Sequence, residues 1–278
     1  MNYHTDEWIN ERVREHYEEV LTMFPESRIV GVFYQGSANY GLDYEKSDVD
    51  TKCILVPTFE DIAFNRKPIS TTHIRKNEEH IDLKDIRLYI QCFEKQNLNF
   101  LEILFTPYKI VNPQYAKFWQ ELVDAREAIA HYDIHRAIKS MKGIALEKYH
   151  AMEHRYPSKV DIIDKFGYDS KQLHHLLRVE EYLARYIEGQ TYEDCLTPTE
   201  EVAKRLRIIK EDNGFLNLVD ARMVANEALL HIEHMCDDAL ELYEQKQNEE
   251  VERIFKKVQY NIMKFAIALE LMEEEYYD

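Results

Sequence analysis

Glycine is scarce in this chain: seven residues in 278. Such a sequence excludes collagen-like repeats and flexible Gly-rich linkers. Cysteine is scarce too. Cys53, Cys92, Cys195 and Cys236 are far apart and form no CxxC pair, which excludes a disulfide framework and a thiolate zinc site of ordinary spacing. They read as reduced thiols, so the chain is expected to be cytoplasmic. No apolar run approaches the length of a membrane span. The N-terminal MNYHTDEWINERV is polar and acidic and does not read as a signal peptide. Basic charge is also lacking, the formal net charge being −17. A protein that holds nucleic acid by charge alone should be basic, so any polyanion contact here must be local. The charge is unevenly spread: net −7 over residues 1–130, +1 over 131–190 and −11 over 191–278. The near-neutral middle stretch also holds six of the twelve histidines, and it is the best candidate for a polyanion.

What is present suits a globular protein, with 45% apolar and 31% charged residues, nineteen tyrosines and twelve phenylalanines. No internal repeat or low-complexity linker appears. Residues 5–23 read as a helix with Trp8, Val13, His16, Tyr17, Val20 and Met23 near one face, stopped by Pro25. Ile29–Tyr34 and Asp50–Val56 read as strands, and a third fits His80–Leu83. Residues 84–96 read as a helix, and Leu98–Phe105 is short and apolar. After Thr106–Pro113, helical periodicity dominates: 115–130, 134–155, 169–188, 199–211, 217–246 and 249–276. The expected fold is α+β: a small mixed-sheet domain over residues 1–110, then an all-helical domain over 111–278.

Three of the seven glycines, Gly31, Gly36 and Gly41, fall within eleven positions, just before Asp48-Val49-Asp50. A turn at Gly36-Ser37 after a strand can present N–H groups and a hydroxyl to phosphate. Asp48 and Asp50, two apart on a strand, share a face and repel unless a cation lies between them. Mg²⁺ takes such hard oxygen ligands and completes its shell with water and substrate phosphates. Lys52 shares that face and can reach a phosphate. Two-metal chemistry asks for a third carboxylate, and Asp82, between Ile81 and Leu83, alternates as an inward strand residue would. Asp85 is the nearby alternative, at the start of the following helix.

Gly36-Ser37, ten residues, Asp48-Val49-Asp50 and then Ile81-Asp82-Leu83 resemble the DNA polymerase β-like nucleotidyltransferase superfamily. "GSANYGLDYEKSDVD", "DLKDIRLYIQCFEKQNLNFLEILFTP" and "KFGYDSKQLHHLLR" resemble one branch of it, the nucleotidyltransferases associated with RNA repair pathways, over roughly residues 28–190. The resemblance implies transfer of a nucleoside monophosphate from a nucleoside triphosphate to an acceptor hydroxyl, with pyrophosphate leaving. It implies Mg²⁺ (or Mn²⁺) on Asp48 and Asp50, Asp82 as third carboxylate, and triphosphate contacts from Gly36 and Ser37. It also implies contacts from Lys171, His175 and Arg178, which follow the Gly167-Tyr168-Asp169 segment. On a helical wheel Lys171, His175, Arg178 and Tyr182 fall within about 60°, a basic stripe facing away from the bundle core. Lys139, Lys142, Lys148 and Arg155 on the preceding helix extend it.

The motif leaves the acceptor open: an RNA or tRNA end, a protein or a small molecule. A non-catalytic nucleotide- or RNA-binding module on the same scaffold is the alternative, with a protein partner on the acidic helical half. The pairs His131/His135 and His231/His234 have helical spacing but no obvious third metal ligand. The tail Glu270–Asp278 reads as a frayed helix end.

Overall fold

A computed structural model describes residues 2–274, the side chains of the last two excepted. In chain order the elements begin with helix α1 (Asp6–Leu21) and strands β1 (Ile29–Gln35) and β2 (Asp50–Leu55). Next come α2 (Phe59–Ala63), β3 (Ser70–Ile74), β4 (His80–Asp85), α3 (Ile86–Glu94), α4 (Leu98–Leu101) and β5 (Lys109–Val111). The remainder is helical: α5 (Ala116–Asp124), α6 (Arg126–Ala130), α7 (Ile134–Ala151), α8 (Val160–Phe166), α9 (Ser170–Ile187), α10 (Tyr192–Leu196), α11 (Glu200–Glu211), α12 (Leu218–Leu242) and α13 (Glu249–Glu274). The class is α+β, as the periodicities predict. No helix among the described residues is long and apolar enough to cross a membrane.

The chain forms two compact units that interleave in sequence. The sheet unit comprises His4–Asn39, Lys46–Tyr132 and the chain from Gln247 onward. The helical unit comprises the residues up to Tyr3, Tyr40–Glu45 and Asp133–Lys246.

In the sheet unit the five strands run in the order β3-β4-β2-β1-β5. The β2–β4 pair is parallel, and the others are antiparallel. Strands β3 and β5 escaped the sequence reading. Three-residue β5 is too short for a period, and β3 (STTHI) is an edge strand with almost no buried side chain. Helix α1 starts where the Thr5 side chain accepts from the Trp8 N–H. It buries Ile9, Val13, His16 and Val20, which meet Val32, Tyr34, Cys53, Leu55, Ile81 and Leu83 of the sheet. Trp8 and Met23, expected on that face, lie at its exposed margin. On the other face, Phe33 of β1 packs on Trp119 of α5. Helix α13 joins there through Phe255 against Phe93 and Phe265 against Tyr115 and Phe118. The span expected as one helix over 115–130 is broken at Ala125, whose backbone leaves helical geometry.

The helical unit is built on α9, whose apolar face buries Leu173, Leu176, Leu177 and Leu183. Helix α12 buries alanines at 221, 225, 228 and 239, small residues that let helices approach closely. Gly167-Tyr168-Asp169 sets up α9 locally. Gly167, at φ +83°, ends α8 in the left-handed conformation. The buried Tyr168 donates its hydroxyl to the Leu216 carbonyl at 3.0 Å. Asp169 caps α9 by accepting from the Lys171 N–H at 2.9 Å.

Candidate active site

Strand β2 carries the first carboxylates. Asp50 opens the strand; Asp48 stands two residues before it and is exposed. Parallel pairing sets Lys52 opposite Asp82, which places Asp50 beside His80. Period-two alternation puts Asp50, Lys52, His80 and Asp82 on one face of the two strands. The same alternation sends Asp85 to the opposite face. Its buried carboxylate caps α3 and binds the Arg87 guanidinium. Asp82, not Asp85, therefore shares the face of Asp50.

Asp50 accepts from the His80 backbone N–H at 2.9 Å, and its Oδ1 lies 3.1 Å from His80 Nδ1. Burial raises its pKa, the Asp48 charge adds to the rise, and the His80 bonds oppose it. The two aspartates thus repel in the way a divalent cation relieves. Their carboxylate oxygens are the hard donors Mg²⁺ or Mn²⁺ prefers, so the donor set fits such an ion. Asp82 is held elsewhere: its Oδ2 lies 3.2 Å from Lys52 Nζ. Lys52 is buried, its ammonium 4.1 Å from the Phe100 ring centre. Burial lowers its pKa against the opposing pull of Asp82 and Glu102. The three carboxylates do not converge, and no cluster of three His, Cys, Asp or Glu able to hold a metal occurs among the described residues.

The Gly36-Ser37 turn differs from the open cradle its sequence predicts. The Gly36 N–H donates to Glu102 Oε1 at 3.3 Å, and the Ala38 N–H donates to the Tyr34 hydroxyl at 3.2 Å. Ser37 Oγ faces Ser47 Oγ at 3.3 Å. Glu102 is buried and also takes a 2.6 Å bond from Asn39 Nδ2. Glycine at 36 has a packing reason: a Cβ there would sit 2.5 Å from Tyr34 Oη and 2.8 Å from Cζ.

In the helical unit, Lys171 is exposed while His175 and Arg178 are half-buried. Tyr182, the fourth member of the stripe that the helical wheel turns away from the bundle core, is buried. The segment Tyr40–Glu45 accounts for part of this. The Arg178 guanidinium stacks 3.5 Å from the Tyr40 ring centre. Arg207 donates to the Gly41 carbonyl and Lys210 to the Leu42 carbonyl. Arg178 Nε and Nη2 and Tyr182 Oη are buried without hydrogen-bond partners among the described residues. Burial pushes His175 well below the usual imidazole pKa, which leaves it neutral. Of the neighbouring cations, Lys142 pairs with Asp237, Lys148 with Glu147 and Arg155 with Asp164. Lys139 is exposed.

Three of the four paired histidines have ordinary partners. His131 Nδ1 bonds the Glu127 carbonyl, His135 Nε2 the Tyr243 carbonyl, and His231 Nδ1 the Glu180 carboxylate. The tail expectation falls partly outside the described residues. Glu270, within them, accepts from the Phe59 N–H at 2.7 Å.

Sequence reasoning missed His16, Glu79, His80 and Glu102 as neighbours of the site. A signal existed for two of them. His16 interrupts the apolar face of α1, and Glu102 sits inside the apolar run LEIL. A polar residue on an apolar face needs a partner: His16 meets the Thr51 hydroxyl and the Glu79 carboxylate, and Glu102 the Gly36 N–H and the Asn39 amide.

Comparison with known proteins follows the same lines. A sequence model of the RNA repair pathway DNA polymerase beta family matches residues 9–250. No curated protein matches the chain.

Proposed function

This chain belongs to the RNA repair pathway DNA polymerase beta family, and from that premise we propose that it is a metal-dependent nucleotidyltransferase. It moves a nucleoside monophosphate from a nucleoside triphosphate to an acceptor hydroxyl, an RNA end. One observation carries this reading: Asp50 and Asp82 share a face of adjacent parallel strands, and the Asp48 charge is felt at Asp50.

In the reaction the acceptor oxygen bonds to the α-phosphorus. The bond from that phosphorus to the bridging oxygen breaks, and pyrophosphate leaves with that electron pair. Asp48 and Asp50 would hold Mg²⁺ (or Mn²⁺). When bound, that ion neutralises triphosphate charge and acidifies the acceptor hydroxyl. Asp82 takes the hydroxyl proton or orients the hydroxyl once its carboxylate turns from Lys52. Lys52, released from Asp82, offers its ammonium to phosphate; at the neighbouring turn the Ser37 hydroxyl and, once it leaves Glu102, the Gly36 N–H are the further donors. In the helical unit Lys171, His175 and Arg178 are the candidates for phosphate contact. The buried, unpartnered N–H groups of Arg178 support that role, because an anion would satisfy them.

The net charge of −17 favours short contact with RNA over a long polyanion track. It also favours a second reading, in which a protein or small-molecule hydroxyl is the acceptor. The test is pyrophosphate release with each of the four NTPs and each acceptor class, for wild type and Asp50→Asn. Wild type is expected to release pyrophosphate only with Mg²⁺ or Mn²⁺. Asp50→Asn should lose at least about 10³-fold while keeping its melting temperature, since the repulsion from Asp48 is relieved. Nucleotide binding without pyrophosphate release under any condition would replace transfer by a binding role.

A further inference from the structure

We propose that Glu79 and His16 are positioning residues that fix the metal-bearing aspartates from behind their strand; the inference rests on the transfer reading above. Thr51 alternates with Asp50 and so faces the opposite side of β2, and Val49, just before the strand, is buried in the core with α1. Both are held there. The Val49 N–H donates to Glu79 Oε1 at 3.3 Å. Thr51 Oγ1 lies 2.8 Å from His16 Nδ1, and His16 Nε2 lies 2.9 Å from Glu79 Oε2. One carboxylate therefore grips the residue before Asp50 directly and the residue after it through an imidazole. The next residue along, His80, holds the Asp50 carboxylate on the front face with its N–H and ring. The Glu79-His80 dipeptide pinches the Asp48–Thr51 stretch from both sides.

Glu79 is itself immobilised. Arg12 and Arg75 bind it at 2.5 and 2.9 Å, and both are tied in turn to Glu15. His16, Thr51 and Glu79 are all buried. Burial works against ionised Glu79, but bonds from His16, Asn77 and Arg12 outweigh it and hold the pKa down to about 2. Apolar side chains at these positions would pack the core without any desolvation cost. What the polar set adds is direction: hydrogen bonds fix the strand to within about 0.5 Å, the tolerance that carboxylate ligation of a metal demands.

The experiment is Mn²⁺ titration of the full chain, followed by the electron paramagnetic resonance of free Mn²⁺, beside calorimetric melting in EDTA. Glu79→Gln and Thr51→Val are expected to weaken Mn²⁺ binding by about 10–100-fold. Thr51→Ser, which restores the hydroxyl, should return the affinity to near wild type. Glu15→Gln breaks the same ion network away from Val49 and His16. It should lower the melting temperature and leave Mn²⁺ affinity unchanged, which a purely stabilising network could not separate. If Glu79→Gln fails to fold, the Thr51→Val and Thr51→Ser pair carries the test. Folded Thr51→Val that binds Mn²⁺ as wild type does, while Asp48→Asn does not, overturns the positioning role and spares the transfer reading. Wild type that binds no Mn²⁺ removable by Asp48→Asn overturns both.

Discussion

Two helices of this protein bury polar side chains in opposite ways. On α1, His16 uses both ring nitrogens, and the Glu79 carboxylate it meets accepts from a backbone amide and two guanidinium groups besides. On α9, His174, Arg178 and Tyr182 recur every four residues. Nε2 of the first, Nε and Nη2 of the second and Oη of the third have no partner among the described residues. Each such atom costs roughly 1–3 kcal/mol when buried. The first arrangement is a closed frame behind a strand. The second keeps hydrogen-bonding capacity unspent, and on the proposed reading Arg178 is the donor offered to phosphate.

The largest test of this contrast is stability. Glu79→Gln leaves Arg12 and Arg75 without their shared buried counter-charge and should cost about 3–5 kcal/mol, lowering the calorimetric melting temperature by about 10 °C. Arg178→Met removes a guanidinium that is poorly satisfied to begin with, so melting should hold or rise. Nucleotide affinity, measured by isothermal titration with Mn²⁺ present, should fall by about 1.5–3 kcal/mol. If Arg178→Met melts as low as Glu79→Gln, the stacking on Tyr40 is structural and the contrast fails.

Acid should separate the two regions. Burial holds His174 down to about 3, from an ordinary 6.5. The unfolded chain therefore binds the proton first, and the neutral-imidazole contribution, complete above pH 6.5, is lost progressively down to about 3. Glu79, lowered from 4.5 to about 2, contributes fully above pH 4.5 and loses its share only below it. Protection factors on α9, which divide out the intrinsic slowing of amide exchange in acid, should fall between pH 6.5 and 4.5 while those on α1 hold. His174→Asn, which can keep the bond to the Leu206 carbonyl, should flatten the α9 response. The smallest effect belongs to exposed Lys171: Lys171→Ala should change nucleotide affinity by less than about 1 kcal/mol and leave melting unchanged.

The site was legible to the extent that it is local. Asp48-Val49-Asp50 announces itself because its spacing predicts two carboxylates on one face of a strand, of which β2 carries Asp50, and Ile81-Asp82-Leu83 does so by the same alternation. Glu79 announces nothing, since its meaning depends on α1 being laid against β2, sixty-three residues from His16 to Glu79. Glu102 inside LEIL looks like an interruption until its carboxylate is seen on the Gly36 amide. A helical wheel turns the α9 stripe away from the bundle core because it knows its own helix and not the Tyr40–Glu45 segment, whose Tyr40 ring stacks on Arg178.

By itself the sequence determined the α+β class, most of the longer helices, the strands bearing the carboxylates and the family. These follow from short-range causes: side-chain periodicity, capping residues and motif spacing. Only the tertiary structure decided that β4 lies parallel beside β2, setting Asp82 opposite Lys52. It alone decided that α13, last in the chain, packs with the sheet through Phe255 and Phe265, and that Tyr40–Glu45 belongs with the helices. Strand partners and buried ion networks join residues far apart in sequence, and which of several apolar faces meet is settled by the packing of the whole chain.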